Sequence, residues 1–469
     1  MRNVVGGIEI GEGVGREVED PATLEIVDTV DVFTSKQVDL AVRAARAAFP
    51  KWAASSDERR RVLSACSAVL TAHEDELAEL LSREQGKPLA QASSELRGSQ
   101  KILDWYADLE DSEAVLRDAP GERIVTRHLP IGVVGIITPW NFPITILGMK
   151  LWASLRAGNT VVVKPASTTP LSTLRMVQVL SEVVPAGVIN TVTGSGAVGG
   201  ELASHPLVDK VSFTGSTGVG REVMTAAAPG LKRLTLELGG NDPAILLDDV
   251  DLAHALPILV RGAFHNAGQV CQAIKRVFVP RRLEKDVVDG LTTLADELYV
   301  VGRGLTDGVT MGPVNNQSQK DSVTRLVDDA RSRGALVHEV GTRVGDDPGY
   351  FLQPTILSGV EASWPIAAEE QFGPALPIIV YDDLDRTIDE LNSGEFGLDG
   401  SVWGRDVDRA IDLSLRLHVG QSFVNTHAGP PDPEIPFGGV KASGFGRELG
   451  AQGLAEASQL RVLKVQRTA

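Results

Sequence analysis

The chain has 469 residues, 43% hydrophobic and 23% charged, the make-up of a soluble globular protein too long for one ordinary core. Its 45 lysines and arginines stand against 62 aspartates and glutamates, a formal charge of −17 with the two signs interspersed; such a surface repels nucleic acid and anionic lipid, and neither is expected as a partner. Two cysteines, Cys66 and Cys271, make no disulfide framework, and residues 1–18 carry charges where a secretory signal needs an apolar run, so a reducing, cytoplasmic setting is expected.

Residues 1–34 read as short strands with turns at Gly6-Gly7, 11–15 and Asp20-Pro21. Ser35 is the expected N-cap of a helix ending at Phe49, with Val38, Ala41, Val42 and Ala45 at helical spacing. Asp57 is expected to cap a second helix, whose inward face is Val62, Leu63, Val69, Leu70, Leu77 and Leu80, with Gly86 near its end. Cys66 falls on that face and reads as a packing residue. Residues 96–109 continue as helix, and 114–130, with Ile124, Val125 and Thr126 and a Pro120-Gly121 turn, read as a hairpin. The least polar stretch, 131–155, is long enough to raise the question of a membrane span. Pro139, Asn141, Pro143, Gly148 and Lys150 interrupt it, and a buried strand, loop and helix suit it better.

From residue 131 the pattern alternates: strands at 133–137, 160–163, 188–192, 210–213 and 234–238, with helices after Pro143 and Pro170. Continuous apolar strands separated by helices are what a parallel sheet covered on both faces requires, so the fold class is α/β with a dinucleotide-type domain. Two glycine turns, Gly194-Ser-Gly196-Ala-Val-Gly199 and Phe213-Thr-Gly215-Ser216-Thr-Gly218-Val-Gly220, each follow a strand and open a helix, the context a nucleotide fingerprint needs. Beyond Gly239-Gly240 a second α/β run has strands at 244–247, 276–279, 336–340 and 378–381, helices at 282–298, 317–333 and 407–417, and a strand-like tail at 460–465. With no CxxC pair and no HExxH, no metal site is expected.

Cys271 lies in a glycine-containing turn between a helical run, Leu252–Phe264, and a strand-like run at 276–280, a junction that should face a cleft. A lone cysteine is more often apolar filler than nucleophile. Glu237 changes the balance. It sits on an alternating strand that ends in the double glycine, where a carboxylate either shifts its pKa upward or serves as a proton acceptor. The two read together as base and nucleophile.

The segments Thr138-Pro-Trp-Asn-Phe-Pro, Phe213-Thr-Gly-Ser-Thr, Glu237-Leu-Gly-Gly, Gly268-Gln-Val-Cys, Glu370-Gln-Phe-Gly-Pro and Pro436-Phe-Gly-Gly resemble, in order, the motifs of the aldehyde dehydrogenase superfamily. The resemblance implies a Rossmann-type cofactor domain (1–107 and 131–239), an α/β catalytic domain (240–441) and a small β oligomerisation arm (108–130 and 455–469) in a homodimer or homotetramer. It implies that the Cys271 thiolate attacks an aldehyde, that Asn141 and the Cys271 amide hold the oxyanion, that hydride passes to NAD, and that Glu237 activates water to hydrolyse the thioester. Glu370 would bind the nicotinamide ribose with Phe372 beside the ring, Lys164 the adenosine ribose, and Ser216 the phosphates. Thr138, Pro139, Trp140, Ser167, Gly196, Phe213, Gly215, Gly220, Leu238 and Gly239 would line the same cofactor site. Ser167 stands where many NAD-using relatives carry glutamate, so NADP should be tolerated beside NAD. Phe142, His265 and His427 fall at the substrate tunnel. The two histidines suit a substrate with hydrogen-bonding capacity, or are satisfied loop residues. The alternatives are a CoA-acylating relative, which commonly lacks the acid that Glu237 supplies, and a non-redox Cys acyltransferase or hydrolase with His265 as base.

Overall fold

Strands Val133–Ile137, Thr160–Lys164 and Lys210–Thr214 are buried at every position, as a sheet covered on both faces demands. In this computed structural model, which describes residues 1–11, 14–110 and 113–466, they belong to a six-stranded sheet. Its order is Gly444–Phe445, Arg233–Glu237, Lys210–Thr214, Val133–Ile137, Thr160–Lys164, Ile189–Thr191, parallel except for the first, short edge strand. Alternation along each strand sends Val134, Ile136, Val161 and Val163 toward helices carrying Trp152 and Leu103, and Val133, Val162 and Val211 toward those carrying Val38 and Val42.

The second sheet has seven strands in the order Leu336–Glu339, Thr355–Ser358, Ala375–Tyr381, Ile274–Pro280, Asp242–Leu246, Asp399–Trp403, Gln421–Val424. All pairs are parallel except the first. Ala244, Leu246, Val277 and Val279 pack on one side with Phe264 and Leu291; Ile245, Leu247 and Phe278 pack on the other with Leu326 and Ile388. A third sheet is the hairpin Glu113–Ala119 and Glu122–Pro130 with Ser458–Gln466 antiparallel beside it. The expected turn at 11–15 includes two residues outside those described.

Several local expectations are corrected. The first helix is Ser35–Ala53 and its N-cap is Thr34, not Ser35; the Thr34 amide donates to the Gln37 side chain at 2.9 Å. The helix continues through Pro50, which falls in its last turns, and buried Trp52 anchors the end. Ser55, not Asp57, caps the next helix, its hydroxyl accepting from Glu58 N at 3.2 Å. The single helix expected there is two, Ser56–Ala72 and Glu74–Gln85, broken at His73. Glu74, Asp75 and Glu76 give the second its acidic first turn, and Gly86 at φ 98° ends it. Strands Thr355–Ser358, Asp399–Trp403 and Gln421–Val424 and helix Leu384–Ser393 were not anticipated, because they are short and several carry polar residues. Among the described residues, no helix is long and apolar enough to cross a membrane.

Candidate active site

The turn before Cys271 is held in an unusual backbone conformation. Asn266, Ala267 and Gly268 are consecutive left-handed residues, with φ of 50°, 55° and 71°. Such strain persists only where surroundings over-determine it. They do so here. Gln269 is fully buried, its carboxamide donating to Asn266 O at 2.9 Å and accepting from Asn315 N at 2.8 Å. A Cβ at Gly268 would collide with the Gly373 carbonyl.

The Trp140-Asn141 loop docks on the same turn: Asn141 Nδ2 donates to Gln269 O at 2.9 Å, and Asn266 Nδ2 donates to Asn141 O at 3.0 Å. One N–H of the Asn141 carboxamide is thereby left for another acceptor. Below the loop, buried Lys87 donates to Asn141 O at 2.9 Å and pairs with Glu95. Glu95 Oε1 in turn accepts from Ile144 N (2.8 Å) and Thr145 N (3.1 Å), satisfying the free amides that open helix Pro143–Ala157. The Lys87 ammonium also lies 4.0 Å from the Phe142 ring centroid, and Phe142 stacks on His265 at 5.9 Å.

Glu237 ends strand Arg233–Glu237 and is 2% exposed, with no side chain hydrogen-bonding it. Burial and then Glu448 raise its pKa well above the carboxylate range, against Lys150, Arg447 and the Gly439 amide. Lys150 and Glu448 form an ion pair beside it. A Cβ at Gly438, in the Pro436-Phe-Gly-Gly segment, would stand 2.7 Å from Glu237 Oε1, so that glycine makes room for the acid.

Cys271 is half-buried and feels a different set of charges. Burial, Asp399, Glu370 and Asp242 push its thiol up, and Lys275 opposes them. Glu370 accepts from Gly240 N at 3.3 Å, and burial raises its pKa to about 7. A Cβ at Gly239 would strike the Glu370 carboxyl, and one at Gly240 would lie 2.8 Å from Cys271 O. The double glycine therefore lets the acid strand, the nucleophile turn and the Glu370 segment meet.

Of the residues expected to hold the cofactor, Glu370 and Phe372 precede strand Ala375–Tyr381 of the second sheet, and the others lie along the ends of the first. Ser216 caps helix Thr217–Ala227, accepting from Val219 N at 3.4 Å, and Gly215 N donates to Glu237 O at 3.1 Å. Phe213 packs on Gly215 and Leu238 on Gly220, while a Cβ at Gly196 or Gly218 would meet open space. Thr138 N donates to Lys164 O at 3.2 Å. Pro139, Trp140 and Ser167 are half-buried, and Trp140 meets Phe372 edge-on at 5.3 Å. Phe372 itself adopts φ 48°. Lys164 is 7% exposed with no carboxylate partner among the described residues, and burial, then Arg16, lowers its pKa to about 8. An unpartnered buried cation near free helix-terminal amides fits an anionic dinucleotide. His265 is exposed, whereas His427 is buried with both nitrogens engaged, Nδ1 with Ser401 Oγ (2.9 Å) and Nε2 with Gln272 O (3.2 Å).

Residues 11–463 match the Aldehyde dehydrogenase family. The chain belongs to that family. It is 37% identical over 465 residues to the NADP-dependent succinate-semialdehyde dehydrogenase of Escherichia coli, covering 97% of this chain and 95% of the relative. It is 39% identical over 459 residues to human aldehyde dehydrogenase 1A1, covering 96% and 91%. A solved betaine aldehyde dehydrogenase of Staphylococcus aureus in complex with NAD+ superposes with a TM-score of 0.92 at 30% identity, covering 99% of this chain and 94% of that one. This aldehyde dehydrogenase oxidises an aldehyde with NAD or NADP as acceptor, and its fold is the family's α/β fold.

Sequence reasoning passed over Lys87, Glu95, Glu448, Lys275 and Asp399, and saw Lys150 only as an interruption of an apolar stretch. A buried lysine in the middle of such a stretch is a usable signal, since it needs a buried partner. The partner of Lys150 is 298 residues away, where no local pattern points to it.

Proposed function

We propose that this enzyme oxidises its aldehyde through a covalent adduct on Cys271 and releases the carboxylic acid by hydrolysis with Glu237 as general base. The observation that carries the reading is the 2.9 Å bond from Asn141 Nδ2 to Gln269 O, which makes the donor loop and the nucleophile turn one rigid unit. The Cys271 thiolate adds to the carbonyl carbon, and the carbonyl oxygen, now an anion, receives the remaining Asn141 N–H and the Cys271 amide. NAD(P) supplies the hydride acceptor; Lys164, Ser216, Glu370 and Phe372 would hold it. Loss of hydride leaves a thioester on Cys271. Water then gives a proton to Glu237 as its oxygen attacks the acyl carbon, and the thiolate leaves.

Ser167 adds no negative charge at the adenosine ribose, and Arg16 adds a second positive one beside Lys164, so this corner accommodates a 2′-phosphate as well as a free hydroxyl. The exposed His265 ring, stacked on Phe142, is the polar group at the tunnel, which suits an aldehyde with hydrogen-bonding capacity. The three-stranded sheet carries exposed apolar side chains on both faces, Leu460 and Val462 (60% each) on one and Val115 (52%) with Leu463 (42%) on the other, and a second copy covering this sheet makes the enzyme a homodimer or homotetramer. Formation of reduced cofactor with a panel of aldehydes, with and without CoA, tests the reaction. Turnover without CoA supports hydrolysis. A strict CoA requirement favours acyl transfer, and no cofactor reduction with any aldehyde beside acid release from an activated ester favours a Cys hydrolase.

A further inference from the structure

Strands Asp242–Leu246 and Ile274–Pro280 pair in parallel, with Asp242 opposite Ile274 and Pro243 opposite Arg276. Lys275 is thus the extra residue of a bulge, a device that re-aims a side chain the two-residue repeat would send elsewhere. What it re-aims is an ammonium that is 2% exposed and, among the described residues, has no carboxylate within ion-pair distance. Burying an unpaired cation is costly, so the position calls for an explanation. Lys275 Nζ donates to Gly268 O at 3.1 Å and lies 5.0 Å from the Phe372 ring centroid. It therefore spans from the left-handed turn that presents Cys271 to the segment that carries Glu370.

The groups around the thiol come from each neighbouring element. Asp242 lies on the adjacent strand, Asp399 on the one beyond, and Glu370 on the loop before Ala375–Tyr381. Asp242 Oδ1 accepts from Asp399 N at 3.1 Å, and the other three oxygens of these two carboxyls have no hydrogen-bond partner. Arg276 is turned the other way, donating to Asn241 O at 2.6 Å, and Glu237 faces Lys150, Glu448 and Arg447. Lys275 is the cation that faces Cys271 among these groups.

We propose that Lys275 is a positioning residue for Cys271. The bulge holds its ammonium where the thiolate, once formed, has a positive neighbour among three carboxyls, and its bond to Gly268 ties the nucleophile turn to the Glu370–Phe372 segment. This rests on Cys271 being the nucleophile. Lys275→Met keeps the length of the side chain and its contact with Phe372 while removing the charge.

The test is the rate of iodoacetamide inactivation against pH, in cofactor-free protein, with the adduct mapped. In Lys275→Met the alkaline rise should move up by about one pH unit, making alkylation about tenfold slower near neutrality. Lys275→Arg should restore the parent profile. Asp399→Asn removes a carboxyl whose pKa burial raises to about 8, and should move the rise the opposite way. A Lys275→Met profile that superimposes on the parent overturns the proposal, even if that variant melts earlier. If Lys275→Met does not fold, an unmoved Asp399→Asn profile overturns it. Adducts on Cys66, or turnover by Cys271→Ala, would instead reject Cys271 as nucleophile.

Discussion

Cys66 and Cys271 carry the same thiol, and burial is the first cause of a raised pKa in both, to about 12 for Cys66. Their surroundings differ. Cys66 sits on the inner face of helix Ser56–Ala72, in a core with Leu63, Leu70 and Leu77. Cys271 sits half-buried on a strained turn, beside carboxyls, a lysine and the docked Asn141 loop. Desolvation therefore does not mark a nucleophile. The mark is the set of fixed donors and charges built within reach of the sulfur, which Cys66 lacks.

The sharpest way to break this comparison is to remove each thiol. Cys271→Ala should lose turnover by several orders of magnitude, measured as cofactor reduction at saturating aldehyde. Cys66→Ala should keep kcat and lose only about 1 kcal/mol of stability, read from denaturant unfolding, because it leaves a small apolar gap. Equal losses of activity in the two variants would erase the distinction.

Next in size is the donor loop. Asn141→Ala should lower kcat by about 10²- to 10³-fold, the usual cost of an oxyanion donor, with a much smaller change in cofactor affinity. A change confined to cofactor KM would make Asn141 a scaffold for the turn and nothing more.

A pH profile sharpens the contrast between the acid side and the thiol side. Glu237 must be deprotonated to accept a proton, and burial and Glu448 raise its pKa, so hydrolysis should fall as pH drops through that raised value, above the ordinary carboxylate range. Lys150 acts to lower it. Lys150→Met should therefore move the acidic limb of kcat to higher pH; a limb that stays in place would separate Lys150 from Glu237.

The smallest expected effect is at the far end of the cofactor. Arg16→Ala should reduce kcat/KM for NADP about tenfold, the scale of one charge-assisted contact, and leave that for NAD within about twofold. Equal losses for both cofactors would remove Arg16 from the 2′-phosphate corner.

Helix Leu252–Phe264 and strand Val133–Ile137 were legible to the residue, because apolar spacing and flanking glycine or proline are local signals. Thr34 was missed as a cap because Ser35, an equally good capping type, stands next to it. Strand Asp399–Trp403 was missed because it opens Asp-Gly-Ser, residues that read as a turn, and only burial between two strands makes it a strand. In the candidate site, the motifs were readable as motifs and the buried residues packed around them were not. Lys87 beneath Asn141, Glu448 beside Lys150, and Lys275 on its bulge all act across the fold. Their roles follow from register and tertiary contact, which one-dimensional spacing does not encode.

In the proposed reaction Cys271 makes the thioester and Glu237 ends it. Rapid mixing of Glu237→Gln with aldehyde and cofactor tests this most directly. The parent general base contributes about 10²- to 10⁴-fold, so the variant should give a burst near one reduced cofactor per subunit, then a steady state slower by that factor, with an acyl adduct on Cys271 in the intact mass. Turnover by Glu237→Gln at the parent rate, with no burst and no adduct, would contradict the account and leave Glu237 a structural acid.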